Sequence, residues 1–366
     1  MSNEKKYISI HYGSYLGLDK ILDAQHPRSK ELGKEAHEEM FFIIIHQVYE
    51  LWFKQILHET ESVMNLFRTN NVDEKNIDVA VSRLERVNEI LKLLIQQIKV
   101  LETMTAIDFL DFRSYLFPAS GFQSFQFRKL EVMLGLKIEK RISYTPYKYY
   151  HEFNEDQQKE IEQLESSKSL FNLIESWLER TPFLNAENFE FKSKYQHAIS
   201  NMLQRERDAI AQSDYLNEHE KAMRLKMNGD TDTYFANIFN ENFHNTQMEE
   251  GKIRLSFKAT IAALLIKLYG TEPILQLPSR LIDVITEMDE LLTNWRYRHA
   301  QMVMRMLGRK TGTGGSSGHE YLMETVKKHQ IFIDFHNIST LLIPRSELPE
   351  LPKELKRNLG FYYNHS

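Results

Sequence analysis

The sequence predicts an all-α protein, a bundle of long antiparallel helices, and three observations carry that reading. Glycine and proline number only 14 and 9 of 366 residues, roughly half the ~12% usual for globular chains, so few turns can be built. Apolar residues recur at intervals of three and four through three long segments. No run of alternating residues is long enough to define a sheet. A hydrophobic fraction of 42%, with 11% aromatic residues, suffices for a sizeable core and excludes a disordered chain.

From residue 35 to about 67, Phe41, Ile44, Ile45, Val48, Leu51, Trp52, Ile56 and Leu57 share one helical face. From 76 to about 105, Leu84, Val87, Leu91, Leu94, Ile98 and Leu101 step alternately by three and four, the seam of a coiled-coil-like pair. These predict two antiparallel helices joined near Asn70 and Asn71. A compact stretch at 106–113 follows, then a break at Pro118, after which Ser120 is expected to cap a helix running to Gly135. The region 138–227 is charged and rich in Tyr, with helices expected at 158–178 and 192–213. Helical period returns at 256–269 and again at 278–307, ended by Gly308. A polar glycine-rich loop, a short helix and a tail holding Pro344, Pro349 and Pro352 complete the chain.

Composition narrows the chemistry. The chain has no Cys, which excludes disulfide scaffolds, Cys-ligated zinc, iron–sulfur clusters and thiol nucleophiles. A net charge of −5 offers no basic field for nucleic acid. The apolar runs are far too short to span a bilayer, and the first residues lack the apolar stretch of a secretory signal, so the expectation is a cytoplasmic protein without membrane or nucleic-acid partners.

Two of the 14 His stand where an imidazole needs a partner. His299 shares a face with Trp295, Met302 and Val303, and His46 with Phe42, Tyr49 and Phe53. A core histidine bonded to a carbonyl explains either equally well. No HExxH occurs, and the single E-x-x-H, Glu241 to His244, is half of what a di-iron bundle requires. Isolated helical histidines on aromatic faces can instead hold a haem iron through one imidazole, with His299 the better ligand and His46 the better distal group, although spacing alone does not fix that order. Gly312, Gly314 and Gly318 miss the dinucleotide fingerprint by one residue and follow a helix, and no Gly-Lys-Ser/Thr triplet occurs. That loop is therefore either a solvent loop or a closing loop, with the Thr313 hydroxyl and backbone N–H groups meeting a ligand. Arg113, one turn after Phe109, is either a surface partner of an Asp or a guanidinium fork for a ligand carboxylate.

Together the segments 44–55 (IIHQVYELWFKQ), 101–108 (LETMTAID), 118–124 (PASGFQS), 295–297 (WRY) and 310–318 (KTGTGGSSG) closely resemble the tryptophan 2,3-dioxygenase family. The likeness begins at Tyr12-Gly-Ser-Tyr15-Leu16, ends near Pro344, and is weakest between 138 and 250. It implies an all-α bundle enclosing haem b, one per subunit and ferrous when active, in an indoleamine/tryptophan dioxygenase-like fold. It implies a homotetramer that adds both atoms of O2 across the indole C2–C3 bond of L-tryptophan. By position, His299 matches the iron ligand and His46 the distal histidine facing the indole N–H. Arg113 matches the residue binding the substrate carboxylate and Thr313 the loop threonine at the amino-acid end. Phe42, Phe109 and Leu116 match pocket walls, Trp295 lies one turn before the ligand, and Arg128 resembles an arginine near a haem propionate. Tyr12, Tyr15 and Leu16 match residues lent to a neighbouring subunit. Residues 1–366 are thus expected to form one domain, with 1–34 an arm and about 138–250 a variable helical region. A haem carrier without the Arg113 and Thr313 functions, or a structural bundle, are the competing readings.

Overall fold

The computed structural model describes residues 9–69, 71–142, 147–182, 184–186, 189–310 and 318–361, and these are almost wholly helical. Three short helices, α1 (Tyr12–Leu16), α2 (Leu18–Leu22) and α3 (Arg28–Glu31), lead in. They expose Tyr12, Tyr15 and Leu22, each more than 70% accessible. The buried Glu39 carboxylate closes this segment, accepting from the backbone N–H groups of Arg28 and Ser29.

The frame of the molecule is α4 (His37–Phe67) and α5 (Glu74–Leu101). The second starts two residues before the expected position because the Asp73 side chain caps it, accepting from Asn76 N. Cross-links fix their register: the Tyr49 hydroxyl donates to Leu94 O at 2.8 Å, and Gln97 Nε2 to Ile45 O at 3.0 Å. Next comes α6 (Ala106–Arg113), opened by a reciprocal Thr105/Asp108 capping box. Ser120 caps only a 3₁₀ turn, Gly121–Gln123. The helix expected from Ser120 is α7 (Phe125–Leu134), capped by Ser124. It ends where expected, at Gly135, whose φ of 115° suits glycine; a Cβ there would lie 2.8 Å from Ser169 Oγ.

The segment expected as one helix at 158–178 is two, α8 (Glu155–Glu165) and α9 (Leu170–Leu178), because Ser169 starts a new capping box. A two-residue antiparallel pair, β1 (Asn185–Ala186) and β2 (Phe189–Glu190), precedes α10 (Phe191–Ala211). The sequence reading did not identify α11 (Glu218–Ile238) or α12 (Glu241–Glu249), which lack a continuous apolar stripe. Nine of the twelve residues of α13 (Phe257–Leu268) are buried.

The longest element is α14 (Pro273–Leu307), which packs along α5 and tolerates Pro278 in its second turn. Asn88 Nδ2 donates to Val284 O, and Arg298 grips both oxygens of Glu102 at 3.0 and 3.2 Å. The remaining helices are α15 (Gly318–Lys328), α16 (Ile333–Asn337) and α17 (Lys353–Leu359). One continuous core joins α4, α5, α9, α13 and α14. No helix among the described residues is long and apolar enough to cross a membrane.

Candidate active site

Four helices and a turn bring most of the predicted residues to one cavity of about 320 Å³, in the size range of cofactor and ligand sites. Phe42 and His46 come from α4, Phe109 and Arg113 from α6, and Leu116 from the turn that follows. Arg128 comes from α7, and Trp295 and His299 from α14. Three pairs share one construction: Phe42 and His46, Phe109 and Arg113, Trp295 and His299 are four apart on a helix, so each functional group sits one turn beyond an aromatic ring on the same face.

Packing makes this wall stiff. The Phe42, Phe109 and Phe112 rings meet at centroid distances of 5.4–5.7 Å, and Phe112 is fully buried. Opposite, the Trp295 ring stacks on His299 at 5.5 Å and meets Phe127 at 5.1 Å.

The electrostatics assign each histidine a state. Burial, joined by the charge His46 would carry, lowers the His299 pKa to about 4, so its imidazole is neutral and has a lone pair for a metal. Both rings line the same cavity. His46 keeps surface open to the cavity, yet protein closes around it and burial lowers its pKa, against the opposing pull of the Phe42 carbonyl and Glu50. Its Nδ1 lies 2.7 Å from Phe42 O. A neutral ring must donate from Nδ1 to that carbonyl, which leaves Nε2 as an acceptor.

The far wall is cationic, and sequence reasoning named only Arg128 from it. Arg296, Glu131, Tyr321, Thr325 and His329 also line the cavity there. Glu131, 1% exposed, accepts from Arg128 at 2.9 Å and Arg141 at 2.8 Å on Oε2. Arg296 and His329 approach its Oε1 at 3.2 and 3.4 Å. Burial by itself would raise the Glu131 pKa, but Arg128, Arg141, His329 and Arg296 hold it well below the carboxylate range. The available signals were an Arg-x-x-Glu pair on α7 and an Arg three residues before His299. His329 had no local signal.

A flat, dianionic macrocycle fits these residues. The cavity offers a neutral imidazole under an indole ring, an aromatic lining, and a wall of arginine donors for the two carboxylates. Not every predicted residue is here. Tyr12, Tyr15 and Leu16 lie on α1, away from this cavity and exposed, and Thr313 falls outside the described residues. A second cavity of about 620 Å³, walled by Ile77, Trp177, Arg180 and Pro278, contains none of the predicted residues.

A sequence profile of the tryptophan 2,3-dioxygenase family matches residues 2–342. A tryptophan 2,3-dioxygenase of Bdellovibrio bacteriovorus is 49% identical over 98% of this chain and all of its own length. One from Dictyostelium discoideum is 45% identical over 97% of this chain and 89% of its own. One from Mus musculus is 43% identical over 93% and 84%. The cavity's paired histidines and these full-length matches lead to one conclusion: the chain belongs to the tryptophan 2,3-dioxygenase family, haem-dependent enzymes that add both atoms of O2 to L-tryptophan, giving N-formyl-L-kynurenine.

Proposed function

We propose that the cavity between His46 and His299 is the catalytic centre, with haem b held by His299 and ferrous in the working state. The observation that carries this is the pairing of two neutral imidazoles across one aromatic cavity, one of them with a nitrogen already committed to a backbone carbonyl. Bound haem supplies what no side chain here can, an iron centre that activates dioxygen toward a closed-shell indole. Trp295 supports the His299 ring by stacking, and Arg128 and Arg296 stand ready for carboxylates at the edge of the macrocycle.

The rest of the work is positioning of the substrate. His46 Nε2 accepts the indole N–H, and Phe42, Phe109 and Leu116 wall the ring. Arg113 takes the substrate carboxylate through its planar fork, and Thr313 meets the amino-acid end. Apolar walls alone discriminate weakly between indoles, so the amino-acid head carries specificity. With Phe at 109, no hydroxyl from that position assists Arg113.

The assembly belongs to the same reading: a homotetramer in which Tyr12, Tyr15 and Leu16 reach a neighbour's cavity, each subunit one domain with its arm at 1–34, working in the cytoplasm. Supporting it are the exposed apolar side chains of α1 and α2, and Met40, Ile44 and Leu51 along the outer face of α4. Light scattering of the purified protein tests the assembly, and cell fractionation tests the compartment. The central test adds L-tryptophan and O2 to reduced, haem-loaded protein. Appearance of the N-formyl-L-kynurenine chromophore is expected, and a coloured but inactive protein would favour a haem carrier.

A further inference from the structure

The cationic wall holds a charge imbalance. Arg128, Arg141 and Arg296 bring three fixed positive charges, since arginine does not deprotonate in proteins. Glu131 is the one carboxylate they share among the described residues, and burial lowers the pKa of His329, leaving that ring neutral. Charge confined in a low-dielectric interior is costly unless it is paired, and a purely structural network would close near neutrality. Counted over its direct ion pairs, this one stands at two positive charges in excess beside a cavity, with the Asp289 carboxylate the further acid whose field reaches Arg296. The four groups come from separate parts of the chain: Arg128 from α7, Arg141 from beyond it, Arg296 from α14, and His329 just past α15. Glu131 contacts them all.

The directions are fixed as well as the charge. Arg141 does not line the cavity; it lies 3.9 Å over the Tyr149 ring, behind the carboxylate. Arg296 is held from the other side, where its Nη1 donates to His329 O at 3.4 Å. With Nδ1 donating to Glu131, His329 is left with an acceptor Nε2, buried without a partner among the described residues.

We propose that Glu131 is the positioning residue of the cofactor site: one buried carboxylate that aims Arg128 and Arg296 at the two carboxylates of the macrocycle while leaving the wall two charges positive. The inference rests on the reading that haem occupies the cavity. Its effect is on retention and redox balance of the cofactor rather than on substrate contact. The carboxylate also ties α7 to α14, so the cationic wall and the iron-binding histidine keep a fixed relation.

Two variants test it in the haem-loaded protein, with transfer of haem to excess apomyoglobin and the midpoint potential as readouts. E131D keeps the charge but withdraws the carboxylate by one methylene. It is expected to fold, to hold the wild-type potential and to lose haem about tenfold faster, equivalent to about 1.4 kcal/mol. E131Q removes the charge; it is expected to lose haem faster still and to shift the potential positive, since unbalanced arginines favour the ferrous form. Wild-type haem retention in a folded E131D would overturn the proposal, whatever happens to E131Q. Failure of E131D to fold would also overturn it, making the carboxylate structural. The underlying reading fails differently: wild-type protein would then lack the spectrum of a histidine-ligated haem, before any change at Glu131.

Discussion

The two faces of the cavity use the same local device to different ends. On α4 and α6, an aromatic ring sits one helical turn before His46 and before Arg113, and both residues line the cavity. On α14, Trp295 stands one turn before His299, but there the ring stacks on the imidazole and burial takes its pKa to about 4. His46 is restrained through a hydrogen bond that occupies one nitrogen. His299 is restrained through the Trp295 ring that stacks on it. The difference shows how surroundings set what an imidazole offers to a cavity: what matters is which atom the neighbours leave unused.

The comparison breaks most visibly at His299. His299→Ala is expected to abolish stable haem binding, and an unchanged ferrous spectrum would refute the assignment. Next in size is Arg113→Ala, which should retain haem and lose ~2–5 kcal/mol of transition-state stabilisation, roughly 30-fold to several-thousand-fold in kcat/KM with L-tryptophan. Activity equal to wild type would remove Arg113 from the site. In the haem-free chain, the lowered pKa values of His299 and His46 mean that the unfolded state binds more protons below the ordinary imidazole value of about 6.5. Stability should therefore fall as pH drops from about 6.5 toward 4, by about 1.4 kcal/mol for each tenfold difference in proton affinity between the unfolded and folded chains. Equal melting at pH 5 and 7.5 would show that the rings are not desolvated. The smallest effect is expected at His46. His46→Ala should keep haem and turnover, losing one hydrogen bond of about 1 kcal/mol, roughly fivefold. Complete inactivity with intact substrate binding would instead make His46 an obligatory base.

The fold was legible wherever periodicity was strong. The helices α4, α5, α13 and α14 follow apolar stripes readable from spacing alone, and the three aromatic-plus-four pairs are visible for the same reason. Boundaries depended on caps. Ser120 and Ser124 are equally good caps on paper, and the backbone selects the second for the helix. The charged helices α11 and α12 escaped because little of either is buried. In the site, the family resemblance singled out Arg128, but nothing local pairs Glu131 with Arg296 or His329, residues 165 and 198 positions away. Long-range charge pairing leaves no periodic trace.

One property of α14 bears on how this chain can change. Helix-to-helix bonds to Asn88 and Glu102 index the rod, and at its middle the Asp289 carboxylate accepts from Ile331 N and Phe332 N at 2.9 and 3.0 Å. Each helical residue advances the azimuth by about 100°. A single inserted residue between Asp289 and Trp295 would thus rotate Arg296 and His299 off their faces together, taking the buried imidazole and the charged wall out of the cavity in one step. Residues 212–217, between α10 and α11, are mostly exposed, so the same insertion there is expected to disturb little. Changes of length are therefore expected to be tolerated at the rim and not in the rod that carries the imidazole.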